Sequence, residues 1–210
     1  ELLPIGELAR RFAIEDVGHA AGIFDVEKLA WMNRHYMKVA APGRIAAESM
    51  RYFFARGCVR RRTDEALEFV ASLLPMGVGS VDRLEEIPDR LQFLFEYDPV
   101  AALQQTDVAH VLEQRGARDV ILALPEAIQG SLMDKEAFRA AAARVRELTG
   151  MKGKALFHPI RVALTGSDGG PELDLAVPAI DRGGALTPGA SVRKIIGCQE
   201  RAQLFAKAIG

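Results

Sequence analysis

The sequence predicts an all-α fold. Apolar residues recur at spacings of three and four along nearly every segment, Asp and Thr stand where two of those segments begin, and glycine stands where several end. No stretch shows the sustained apolar–polar alternation of a strand ladder, and no internal repeat is present. The 210 residues, 49% hydrophobic and 26% charged, can bury a sizeable core.

The first clear helix follows GIF. Asp25 reads as its N-cap, Phe24 and Leu29 are placed for a hydrophobic staple, and Leu29, Met32 and Tyr36 continue the periodicity. Ala46, Met50, Phe53 and Phe54 mark a second helix closed by Gly57. Thr63 caps a third, with Asp64 and Glu65 in its first turn and Ala66, Leu67, Val70, Leu73 and Leu74 on its apolar face; Pro75 is expected to stop it. The stretch LLPMGVGS reads as a boundary and divides the chain into helical subdomains 1–75 and 76–210.

Leu84, Ile87, Leu91, Leu94 and Phe95 form the next pattern, which Pro88 should kink or divide. A long helix from about Leu132 to Thr149 carries Phe138, Ala141, Val145 and Leu148 on one face and ends at Gly150. HPIRVALTG, residues 158–166, is compatible with a short strand, or with a helix in which Arg161 and Thr165 share a face and Gly166 is the stop. DRGGALTPGA, 181–190, reads as a glycine-rich surface loop, and a last helix runs from about Glu200 to Ile209.

The net charge of -1 announces no global basic field, but the charge is segregated. Residues 34–62 hold eight Arg or Lys against one acid, and residues 85–136 hold eleven acids against four bases. Arg34, Lys38 and the run Arg60, Arg61, Arg62 are therefore candidate phosphate contacts; taken alone, the run reads as a solvated loop. Trp31 reads as a core residue rather than a stacking platform. Cys58 and Cys198 have no metal or redox spacing and read as free thiols of a reducing cytosol.

His19, His35, His110 and His158 have no ligand spacing, so no metal site is expected. The turn GSDGG, 166–170, lacks the lysine and spacing of a phosphate-binding loop. No nucleophile motif proposes a catalytic centre. No signal peptide or membrane span is visible, and the first residue, Glu1, suggests a fragment.

Four phrases resemble a known family. FDVEKLAWMN (24–33), preceded by ELARRF and followed by HYMK, is similar to the segment just past the catalytic region of bacterial-type glutamyl-tRNA synthetases. VDRLEEIPDRLQFLFEYDP (81–99), HPIRVALTG with GGPEL, and IIGCQERAQLFAKAI (195–209) resemble that family's later stretches, in the same order. The resemblance implies a stem-contact region followed by an anticodon-binding α-helix cage. It implies that Arg161, Gly170, Pro171 and Leu173 reach the anticodon bases of glutamate tRNA. Arginine reading the edge of a splayed base beside Pro and Leu suits that task. The alternative for Arg161 is an ion pair with Asp168 or Glu172 across the turn.

The chain departs from the family's pattern. Ser80 stands where members strict for glutamate tRNA often carry an arginine, which keeps open an enzyme that also charges glutamine tRNA. The loop 181–190 looks like an insertion, and His158 replaces a residue that is usually uncharged. The family's ATP motifs of the H-I-G-H and K-M-S-K type are missing. The resemblance thus implies a cytoplasmic, monomeric enzyme whose ATP, Mg²⁺ and glutamate sites lie in an N-terminal catalytic domain absent here, and no cofactor in this chain. Two alternatives stand beside it: a helical interaction module that docks proteins, and a small enzyme that uses the GSDGG turn.

Overall fold

The structure, a computed structural model, describes residues 2–18, 22–128, 130 and 132–210; Glu1 and His19 lie outside them. It is helical throughout, and among the described residues the only β pairing is an isolated antiparallel bridge between Val59 and Val192.

α1 (Ile5–Arg11) is short, and α2 (Val26–Val39) begins where the Asp25 carboxylate accepts from the Lys28 amide at 2.8 Å. The expected core face of α2 is not observed: Phe24, Leu29 and Trp31 are 72%, 50% and 50% exposed, and among its described residues only Met37 is buried. The periodicity is present, but among the described residues no neighbour buries that face. α3 (Pro42–Ala55) starts with proline in its first turn and ends before Gly57, whose φ of +67° suits glycine.

α4 (Asp64–Gly77) is capped by Thr63, whose hydroxyl accepts from the Ala66 amide at 3.0 Å. Pro75 does not stop α4. It stands exposed in the last turn, where a single donor is lost, and Met76 and Gly77 continue inward as buried residues. A 3₁₀ turn (Val78–Ser80) follows, and another covers Leu84–Glu86. The next pattern is divided: Pro88 stands in the first turn of α5 (Ile87–Arg90), just after the 3₁₀ turn, and a second break at Leu91 separates α5 from α6 (Gln92–Phe95).

α7 (Pro99–Leu103), capped by Asp98, α8 (Thr106–Leu112) and α9 (Ala117–Ala127) lead to α10 (Lys135–Thr149), which Asp134 caps and Gly150 ends. Leu148, expected in the core, is 51% exposed. HPIRVALTG is helical, within α11 (Lys154–Thr165), and Gly166 ends it with a φ of +72°. α12 (Leu173–Gly184) and α13 (Cys198–Ile209) complete the chain.

The 181–190 segment is a surface loop only in part: residues 185–189 are largely exposed, whereas Gly183 and Ala190 are buried. Its first four residues are the end of α12, and the Asp181 carboxylate accepts from the amides of Met133 at 2.5 Å and Cys198 at 2.7 Å, joining α12 to the start of α13. A Cβ on Gly183 would lie 2.5 Å from Ile195 Cδ1 and 3.0 Å from Phe69 Cζ. Glycine is needed here for close packing rather than for a turn. Ala190 is buried, and its carbonyl accepts from the Thr63 hydroxyl at 2.9 Å.

α9 lies at the centre of one half, covered by α10, α11 and α13, while α4 packs between α3 and α12. Buried residues from Met37 to Phe205, on both sides of residues 75–80, form one cluster. Both cysteines are free and buried.

Candidate nucleic-acid interface

α11 carries the residue that the sequence singles out. Lys154, His158 and Arg161 follow one another at spacings of four and three, so they share one face of the helix. The face ends at Thr165 and the turn 166–171. The half-buried Arg161 donates through Nη1 to the Pro171 carbonyl at 2.6 Å. Among the described residues no carboxylate lies within 4 Å of its guanidinium, so the alternative of an ion pair with Asp168 or Glu172 is not observed. Burial lowers the Arg161 pKa, and the charge of Asp168 works against that shift. No other side-chain hydrogen bond from Arg161 is formed within the described residues, so its remaining donors are unengaged there, and none of them is fully buried.

The turn is built to hold this group. Gly170 has a φ of +133°, and a Cβ there would sit 3.7 Å from Arg161 Nη1. The Thr165 hydroxyl lies 2.8 Å from the Arg161 carbonyl and 3.1 Å from that of Ser167. Gly170 is exposed and Pro171 half-buried, but Leu173 is turned into the core. His158 is held below the ordinary histidine range, first by burial and then by the charges of Lys154 and Arg161. Protonation of His158 is thus opposed by the same face that carries the two cations.

A buried arginine that the sequence reading passed over secures the end of α11. Arg201 on α13 is fully buried, and no carboxylate of the described residues lies within 4 Å. Its guanidinium donates to the carbonyls of Ile196 (2.7 Å), Phe93 (2.9 Å), Leu164 (2.9 Å) and Leu94 (2.8 Å). Three of these carbonyls are the unpaired, negative C-terminal ends of α6 and α11. The same group lies 4.5 Å from the centre of the Tyr97 ring, and the Tyr97 hydroxyl donates to the Ala163 carbonyl at 2.6 Å. Burial pushes the Arg201 pKa down to about 10.

The other predicted contacts are spread out. Ser80 is exposed on the 3₁₀ turn after α4, with its hydroxyl donating to the Gly77 carbonyl at 3.1 Å. Arg34 is held by Asp82 at 2.6 Å, whereas Lys38 is exposed. Arg60 and Arg62 are exposed, and Arg61 Nε donates to the Ser191 hydroxyl at 3.2 Å. The bridge at Val59 and Val192 sets Arg60 and Arg61 beside Arg193 and Lys194, two cations the sequence reading missed. SVRK is visible as a charged pair, but nothing local marks it as a neighbour of residues 130 positions away. Among the described residues no group of three or more His, Cys, Asp or Glu could hold a metal ion, and no helix is long and apolar enough to cross a membrane.

The anticodon binding domain family model matches residues 44–186. The chain is 31% identical over 193 residues to the glutamate–tRNA ligase of Natranaerobius thermophilus, covering 89% of this chain and 38% of that protein. It is 32% identical over 182 residues to the glutamate–tRNA ligase of a Sulfurihydrogenibium species, covering 86% and 37%. The chain thus spans little more than a third of the length of these curated relatives. Among solved structures, the glutamate tRNA ligase from Elizabethkingia meningosepticum superposes with a TM-score of 0.70 at 18% identity, over 99% of this chain and 36% of that one. The synthetase from Elizabethkingia anophelis gives 0.71 at the same identity and coverage. These two likenesses establish the shared fold. The helical fold, the matched residues 44–186 and the glutamate–tRNA ligase relatives lead to one conclusion: this chain belongs to the anticodon binding domain family.

Proposed function

We propose that the chain is the tRNA-binding portion of a glutamate–tRNA ligase, with residues 1–75 contacting the stem and 76–210 reading the anticodon. The observation that supports this most is Arg161, a half-buried arginine held by a single carbonyl at 2.6 Å with donors left over for a base edge. Gly170 and Pro171 shape the loop beside it, and the buried Leu173 anchors the start of α12. Arg34, Lys38, Arg60, Arg61 and Arg62 would grip phosphates; of these, Arg34 must share its charge with Asp82. With Ser80 in place of an arginine, the enzyme accepts glutamine tRNA as well as glutamate tRNA.

The partner within the same protein is an N-terminal catalytic domain, working as a monomer in the cytoplasm. Exposed apolar side chains at the start of the chain support such a neighbour: Ile5, Phe12, Ile14 and Ile23 are 85%, 65%, 75% and 95% exposed. ATP and Mg²⁺ belong to that domain. In this chain the GSDGG turn lacks the lysine and spacing of a phosphate-binding loop, so its residues do not fit the group.

The test is charging kinetics of the full enzyme. Arg161→Ala lowers kcat/KM for glutamate tRNA by an amount equivalent to about 1–3 kcal/mol, the size of a good base contact. Unchanged kinetics would remove Arg161 from the reading.

A further inference from the structure

Two short extended segments, far apart in sequence, are zipped together on one face of α4. Arg60 N donates to the Ser191 carbonyl at 2.7 Å and Arg193 N to the Cys58 carbonyl at 2.8 Å, closing the antiparallel bridge between Val59 and Val192. The pairing opens a cleft of about 610 Å³ beside the end of α12. Arg60, Arg61, Arg193 and Lys194 line it, together with Thr187 and Ser191, and no acidic residue does. All four cations are exposed. One of them, Arg193, is held by Glu96 at 2.9 Å, and Arg61 is oriented by the Ser191 hydroxyl.

Gathering like charges from segments 130 positions apart is unfavourable unless something negative completes the site. The backbone is also strained there: buried Ser191 has a φ of +58°, the only positive φ outside glycine among the described residues. A serine in that conformation persists because its carbonyl and hydroxyl are held by Arg60 and Arg61.

We propose that this cleft is a phosphodiester-binding site for the RNA backbone, with Arg60, Arg61, Arg193 and Lys194 as its cationic contacts. The proposal rests on the chain binding tRNA and changes the grip described above. Arg193 and Lys194 enter it, and Arg62 lies outside the cleft. Exposed arginine and lysine in a groove with hydroxyls at its edge bind phosphates without regard to base, so the site contributes affinity rather than sequence choice.

The experiment is anisotropy titration of the 210-residue chain with a glutamate tRNA transcript and with an unrelated tRNA, from about 50 to about 300 mM KCl. The double variant Arg60→Gln, Lys194→Gln is expected to flatten the slope of log affinity against log salt by about 1.8, at about 0.9 per phosphate contact. Both tRNAs lose affinity alike. Tight binding by the native chain with the same slope in the double variant overturns the cleft alone. No tRNA binding by the native chain overturns the tRNA-binding reading and the cleft together. A third arm adds inorganic phosphate at constant ionic strength. Displacement of tRNA by millimolar phosphate would show a site for small anions and overturn the assignment to RNA backbone.

Discussion

Replacing Arg201 with methionine strips four carbonyls of their only charged donor while leaving the apolar surroundings filled. Each charge-assisted bond lost inside a protein is worth about 2 kcal/mol, so four of them carry about 8. Against this stands the cost of burying the charge. A guanidinium pushed from 12.5 down to about 10 forfeits about 3 kcal/mol relative to its solvated form. The balance is a loss of about 5 kcal/mol for Arg201→Met, comparable with the whole stability of a marginal domain. In urea, with a slope of about 2 kcal/mol per molar, the midpoint measured by circular dichroism falls by about 2.5 M. Arg201→Lys keeps a charge but cannot span acceptors on three separate segments, and it recovers less than half of the loss. A methionine variant within about 1 kcal/mol of the native chain would refute the argument that these carbonyls depend on the guanidinium.

Gly183→Ala places a methyl group 2.5 Å from Ile195 Cδ1 and 3.0 Å from Phe69 Cζ, and should cost about 1–3 kcal/mol in urea unfolding; a stabilised variant would show that the contact has slack. His158 should titrate below the ordinary histidine value, near 6.5, in the free chain by NMR, because burial and the charges of Lys154 and Arg161 oppose protonation. Its depressed folded pKa means that its contribution to stability is present above the unfolded value and is lost as pH falls through the folded one; His158→Gln should remove that part of the acid loss. Bound RNA phosphate near α11 should raise the His158 pKa, and a titration at or above the ordinary value in the free chain would contradict the assigned cause.

The local grammar of the fold was legible. Asp25 and Thr63 cap helices through the expected side-chain bonds, and Gly57, Gly150 and Gly166 adopt the left-handed conformation that ends them. Those signals depend only on neighbours in the chain. The misreadings share the opposite cause. Gly183 looks like a turn glycine until Phe69 and Ile195 are brought against it, and Pro75 looks like a stop until the helix is seen to end two residues later. Trp31 is an apolar side chain of core type, yet half of it stays exposed because the described residues do not bury it.

At the site, Arg161 was visible as a cation in an apolar run, and the helix it needed was decided by Gly166 and by packing on α9 and α13. Arg201 was not visible, because its acceptors are backbone carbonyls, which every sequence supplies equally. Arg193 and Lys194 gained meaning only through the bridge between Val59 and Val192.

The most direct measurement is a double-mutant cycle on binding, pairing Arg161→Ala with single base changes in the anticodon of glutamate tRNA. If the unengaged donors of Arg161 grasp one base, changing that base and removing the arginine will each cost about 1–3 kcal/mol, and the two losses will not add. Fully additive losses at every anticodon position would mean that the guanidinium serves only its own turn.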